Sequence, residues 1–136
     1  MYCTKTKIRV RYGETDRMGY VYYGNYPLFY EVARSEMMRS IGMSYRELEE
    51  EGIMMPVLSM DIKYIAPAFY DDELTVKTIL KEIPKVRISF EYEIYRNETE
   101  LINTGKTTLV FVNRDTMKPS RPPKHFVDKI QQKFQE

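Results

Sequence analysis

Asp16 lies in the run ETDRMGYVYYGNYPLFYEVAR (Glu14 to Arg34), where an acid is followed at once by a turn rich in glycine and aromatic residues and then by a segment of helical period. That order sets a carboxylate beside a helix N-terminus. The first N–H groups of a helix lack intrahelical acceptors and carry the positive end of its dipole, so they can hold a developing oxyanion. A carboxylate nearby can attack a carbonyl or activate water. Together they outline a hydrolytic site.

The elements that position this run follow from the apolar periods. Ile8, Val10 and Tyr12 alternate with Arg9 and Arg11 and predict a half-buried strand ending at Gly13. Asn25 or Tyr26 caps the next helix, with Pro27 in its first turn, where a missing N–H costs nothing. Phe29, Val32, Ala33, Met37 and Ile41 recur at helical spacing, with Glu31, Arg34, Glu36 and Arg39 elsewhere around the helix. Ser44 and Glu47 form a capping box for a short second helix ending at Gly52, expected to lie as a lid over one end of the first. Strand periods then run through Leu58–Tyr64, Leu74–Leu80, Val86–Ile94 and Leu101–Asn113, with a hairpin turn at Asn97–Glu100. Gly105 marks a bulge or a close backbone approach. Pro122 and Pro123 open a last helix with a stripe of Phe126, Val127, Ile130 and Phe134. Short connections make the sheet antiparallel, and the chain reads as one α+β domain, residues 1–136.

Twenty-one basic and twenty acidic residues leave no global field to draw the chain to nucleic acid or an anionic membrane. Cys3 is the only cysteine and His125 the only histidine, which excludes an internal disulfide and leaves no set of metal ligands or serine triad. No cofactor motif is present, and no apolar run has the length of a membrane span or of a signal core. A cytoplasmic protein is expected.

The stretch RYGETDRMGYVYYGNYPLFYEVAR, with KYIAPAFYDDELTV (Lys63 to Val76), resembles the 4-hydroxybenzoyl-CoA thioesterase branch of the hotdog-fold acyl-CoA thioesterases over nearly the whole chain. The resemblance implies a hotdog fold, a curved five-stranded antiparallel sheet wrapped around the long helix. It also implies an acyl-CoA substrate, a homodimer or homotetramer, and an active site at the subunit interface. By position Asp16 matches the catalytic aspartate, and the Tyr23 backbone N–H matches the group that polarises the thioester carbonyl. Many relatives carry histidine where this chain has Tyr23, so an Asp-only mechanism is implied, with Asp16 as general base or nucleophile. Tyr22, Gly24 and Asn25 flank that donor and are expected to bind substrate. Arg87, Ser89 and Lys118 fall where the family's CoA contacts cluster, against the alternative of a solvated strand face.

Other residues carry plainer readings. Glu31 has Arg34 three residues on, which suggests an ordinary ion pair rather than a catalytic acid on the helix. His125 is expected to serve the surface or a cap. Met54 and Met55 suggest a plastic acyl pocket or core filler. Two other functions use the same fold: a noncatalytic acyl-CoA-binding protein, which loss of the acid would mark, and a dehydratase, which needs a histidine at the site.

Overall fold

The computed structural model describes residues 1–136, and a five-stranded antiparallel sheet in the order β1-β4-β5-β6-β3 forms its frame. Those strands are β1 (Tyr2–Arg9), β3 (Val57–Tyr64), β4 (Glu73–Leu80), β5 (Arg87–Arg96) and β6 (Glu100–Val110). Against one face lies α1 (Tyr26–Ile41), a sixteen-residue helix whose Tyr26, Phe29, Tyr30, Ala33, Met37, Met38 and Ile41 are buried. The sheet answers with Leu74, Val76, Leu80, Ile88, Phe90, Tyr92 and Ile94, the alternate residues of β4 and β5. This is the hotdog arrangement of one long helix held by a single sheet.

Beyond α1, Ser44 caps α2 (Tyr45–Glu50) by accepting the Glu47 N–H. β2 (Ile53–Met54) and β7 (Val112–Asn113) form a separate two-stranded ribbon, and α3 (Lys124–Phe134) buries Phe126 and Ile130. The ribbon splits the expected last strand: β6 ends at Val110 and the chain turns away to meet β2. The first strand also shifts. It runs from Tyr2 to Arg9, and Tyr12 is 78% exposed at the start of a 3-10 turn rather than on a buried face.

Gly105 belongs to a close approach and not to a bulge, since the register irregularities of β5 and β3 fall at Ile94/Tyr95 and Val57/Ser59. A Cβ there would meet the Tyr30 ring at 2.5 Å. Tyr30 has no room to retreat, because it stacks on Tyr92 with centroids 4.3 Å apart and its hydroxyl bonds the buried Asn103 side chain. The sheet thus grips the helix at the ring of Tyr30.

Its two edges differ in character. β1 exposes Lys5, Lys7 and Arg9 on one face, and Lys7 and Arg9 both pair with Glu73 of the neighbouring β4. β3 leaves Val57, Leu58 and Tyr64 about half exposed, with Met60 and Ile62 only partly covered. No helix is long and apolar enough to cross a membrane.

Candidate active site

One tight loop brings Asp16 beside the start of α1. Thr15 and Val21 form an antiparallel bridge, the Asp16 N–H donates to Tyr20 O (3.0 Å), and the Gly19 N–H donates to Asp16 O (3.0 Å). The Met18 N–H donates to Asp16 Oδ1 at 2.8 Å, an Asx turn that fixes the carboxylate. Its second oxygen has no partner within the chain. No cation pairs with Asp16, so its charge is free to act on a ligand.

The donor side is a 3-10 turn, Tyr23–Asn25, that runs directly into α1. The Tyr22 N–H is taken by Glu14 O (2.9 Å) and the Asn25 N–H by Tyr22 O (2.9 Å). Those of Tyr23 and Gly24 have no acceptor among the turn and loop hydrogen bonds. They point back toward the N-terminal end of the helix, as helical N–H groups do. The Tyr64 hydroxyl donates to Tyr23 O at 3.0 Å. Because that carbonyl and the Gly24 N–H belong to one planar trans peptide, holding the oxygen also aims the donor.

Asp16 and Tyr23 line the same cavity of about 390 Å³, with Met18, Tyr20, Tyr26, Tyr64 and the segment Ile65–Pro67. The walls are mostly aromatic: the Tyr64 ring meets Tyr26 edge-on at 5.5 Å and Tyr23 at 6.4 Å. Burial pushes the Tyr26 phenol up to about 12, so it stays neutral. Such a cavity offers an apolar wall and one fixed carboxylate, with Tyr23, whose N–H lacks an acceptor, in its lining.

The other expected contacts are placed less directly. Tyr22 is outside the cavity lining; its ring leans on Tyr23 at 4.6 Å and covers Gly24, where a Cβ would fall 2.6 Å from the Tyr22 ring. The Asn25 amide does not face the cavity but donates to Glu14 O at 2.8 Å. Arg87 and Ser89 border a separate cleft of about 210 Å³ with Lys81, Lys106 and Glu91, where Ser89 bonds Thr108 at 3.0 Å and Lys81 pairs with Glu91 at 2.9 Å. Arg87 has no ion pair. Lys118 lies in the loop after β7, outside that lining.

Arg87 pairs with Val110, whereas Tyr64 faces Asn103 and, beyond it, Ile94. Seven residues of β5 separate those rows, roughly 23 Å at strand rise. A single protomer therefore does not bring Arg87 to Asp16. Met54 and Met55 also lie apart from the cavity, and its methionine is Met18.

Glu31 and Arg34 do not pair. Arg34 turns inward, 6% exposed, donating through Nε to the Tyr45 hydroxyl (2.6 Å) and through Nη1 to the Tyr92 hydroxyl (3.0 Å). Its long stem reaches two buried phenols that one helix in isolation cannot offer. Burial pushes Tyr45 up to about 12. His125 binds Glu51 at 2.7 Å on the surface, joining α3 to the end of α2. Tyr64 joins the cavity although no motif marks it; strand alternation alone sets it on one face with Met60 and Ile62.

Known proteins resemble this chain in sequence and in fold. Residues 10–130 match the thioesterase-like superfamily. The putative acyl-CoA thioesterase YneP of Bacillus subtilis is 32% identical over 128 residues, 94% of this chain and 93% of that protein. The acyl-CoA thioester hydrolase YbgC of Escherichia coli O6:H1 is 35% identical over 92% of this chain and 93% of its own length. Among solved structures, a DHNA-CoA thioesterase from Staphylococcus aureus superposes with a TM-score of 0.89 at 36% identity, covering 99% of this chain and 90% of that one.

Proposed function

The chain belongs to the thioesterase-like superfamily, and we propose that it hydrolyses acyl-CoA thioesters to a free acid and coenzyme A. The observation that carries this reading is the shared cavity of Asp16 and Tyr23. A thioester carbonyl seated there would direct its oxygen to the Tyr23 N–H, seconded by Gly24, while the free carboxylate oxygen of Asp16 faces the carbonyl carbon or a water beside it. The thiolate departs readily, so one carboxylate and a backbone donor suffice without a metal or cofactor. No imidazole is near, which disfavours a dehydratase. The acid present in the site speaks against a purely binding role.

Assembly is part of the proposal. β3 is an unpaired edge with Val57, Leu58 and Tyr64 about half exposed, a strand able to pair with a second copy. Antiparallel pairing of two β3 strands across a two-fold axis would set the Tyr64 end of one copy against the Val57 end of the other. The Arg87–Ser89 cleft of the second copy then stands about three strand spacings, roughly 14 Å, from the first copy's β3. A substrate with its acyl group at Asp16 would lay its nucleotide toward Arg87, Ser89 and Lys118 across the interface, in a homodimer or a homotetramer built from it.

Release of free thiol from short, long and aromatic acyl-CoA esters tests the activity, with light scattering on the same sample. Turnover of at least one ester by a dimer or larger assembly is expected. No turnover across the panel, or an active monomer, refutes the corresponding half of the reading.

A further inference from the structure

Asn25 occupies the N-cap position of α1, where an asparagine ordinarily accepts an N–H from the first helical turn. Here its side chain makes no cap hydrogen bond. Instead the amide reaches back eleven residues and donates to the carbonyl of Glu14 at 2.8 Å, the same oxygen that accepts the Tyr22 N–H at 2.9 Å. Both lone pairs of that carbonyl are then used. Glu14 is itself pinned, since its Oε1 accepts the Arg11 N–H at 2.7 Å and its own N–H donates to Arg11 O. The oxygen that Asn25 grips is a fixed point two residues before Asp16.

We propose that Asn25 is a positioning residue: its amide locks the oxyanion turn of Tyr23 and Gly24 to the segment that carries Asp16, and so sets the spacing between the acid and the oxyanion donors. The inference rests on the hydrolase reading of those two groups. The other ties on the loop, Thr15 to Val21 and Asp16 to Tyr20, close the loop on itself and stop short of the helix. Asn25 supplies the side-chain link made by the helix end. Without it, the turn keeps only the Tyr22 N–H on Glu14 O and the Tyr64 hydroxyl on Tyr23 O, which leave the peptides of Tyr23 and Gly24 freer to shift against Asp16 while the cavity walls stay in place. Small displacements of a donor from the developing charge are costly to rate and cheap to binding.

The test is a double-mutant cycle of Asn25→Ala and Asp16→Asn, read as kcat and KM on a good acyl-CoA substrate. Asn25→Ala should lower kcat about tenfold or more with KM changed less than about threefold. The double variant should lose clearly less than the product of the two single losses, because the spacing that Asn25 sets matters less once the acid is gone, although the oxyanion donors still act. A non-hydrolysable acyl-CoA thioether should bind Asn25→Ala and the parent equally. Amide exchange at Tyr22 should quicken in Asn25→Ala, a readout that stands even if the parent protein hydrolyses no thioester, in which case the hydrolase reading fails on its own. Unchanged kcat, losses that multiply in the double variant, thioether affinity that falls in step with kcat, or unchanged exchange at Tyr22 would each overturn the proposal. If Asn25→Ala fails to fold, Asn25→Ser, which keeps a capping side chain but is too short to reach Glu14, is carried through the same cycle.

Discussion

Two impaired variants should restore each other's activity when their subunits are mixed, provided the active site draws on two copies. Asp16→Asn removes the acid, and Arg87→Glu reverses the cation that we place on the nucleotide of the substrate. The rows holding Tyr64 and Arg87 stand roughly 23 Å apart along the sheet, at opposite ends of one protomer. Pairing two copies through β3 closes that gap in trans. In a two-fold dimer of one variant with the other, one site then contains both altered residues and the second contains neither. Random re-association makes about half of the dimers mixed, so about one quarter of all sites are intact. The assay is kcat/KM for acyl-CoA at low salt, after the two variants are unfolded together and refolded at equal concentration. Recovery to about a quarter of the parent value is expected, against about ten per cent or less for each variant alone if each loses about tenfold to a hundredfold or more. If Arg87 served the Asp16 of its own protomer, every mixed dimer would hold two singly damaged sites. Activity equal to the mean of the separate variants would refute the supply of Arg87 across an edge-paired interface.

Alone, Asp16→Asn should cut kcat by about a hundredfold, roughly 2.7 kcal/mol of barrier; asparagine retains Oδ1 to accept the Met18 N–H, so the loop should persist by circular dichroism. Glu31→Gln should change kcat less than about threefold, and the reverse ranking would move the acid to the helix. Gly105→Ala should destabilise the fold by about 1–3 kcal/mol in urea, because its Cβ would strike a ring clamped between the sheet and Tyr92; an unchanged midpoint would show that Tyr30 can yield. Folding stability should hold up to pH 10, the ordinary tyrosine value, and fall as pH rises toward 12: Tyr26 and Tyr45 each have a folded value of about 12, so above pH 10 the unfolded chain sheds protons that the folded one keeps. A melting temperature flat from pH 9 to about pH 12 would refute the assignment of those phenols as buried.

Much of the frame was legible because its signals are local. Pro27 at the helix start, the Ser44–Glu47 capping box, the alternation of β4 and β5, and the turn at Asn97 and Glu98, both at positive φ, each depend on a few neighbouring residues. What escaped depends on distant partners. The last strand looked continuous through Asn113, yet the chain leaves the sheet after Val110 because β2 supplies another pairing partner. Arg34 looked like the ion-pair partner of Glu31, and only the packed fold shows that its guanidinium meets the hydroxyls of Tyr45 and Tyr92. Gly105 signalled a bulge or a close approach without saying which, and without naming Tyr30.

The site divides along the same line. Asp16 and Tyr23 were readable because an acid, a turn and a helix start lie within eight residues, and the loop that joins them closes on its own backbone. Arg87 and Ser89 could be marked as cationic and polar, but nothing in the order of residues says which copy's thioester they serve. The sheet register answers in part by setting them at the end opposite the cavity. Asn25 is the instructive case. Its residue type suggests a cap and its neighbours suggest a substrate contact, yet its amide is spent on a carbonyl eleven residues back. A polar side chain beside reacting groups therefore counts as a ligand only after its hydrogen bonds have been assigned. Here that assignment moves Asn25 from the substrate to the spacing between acid and donor.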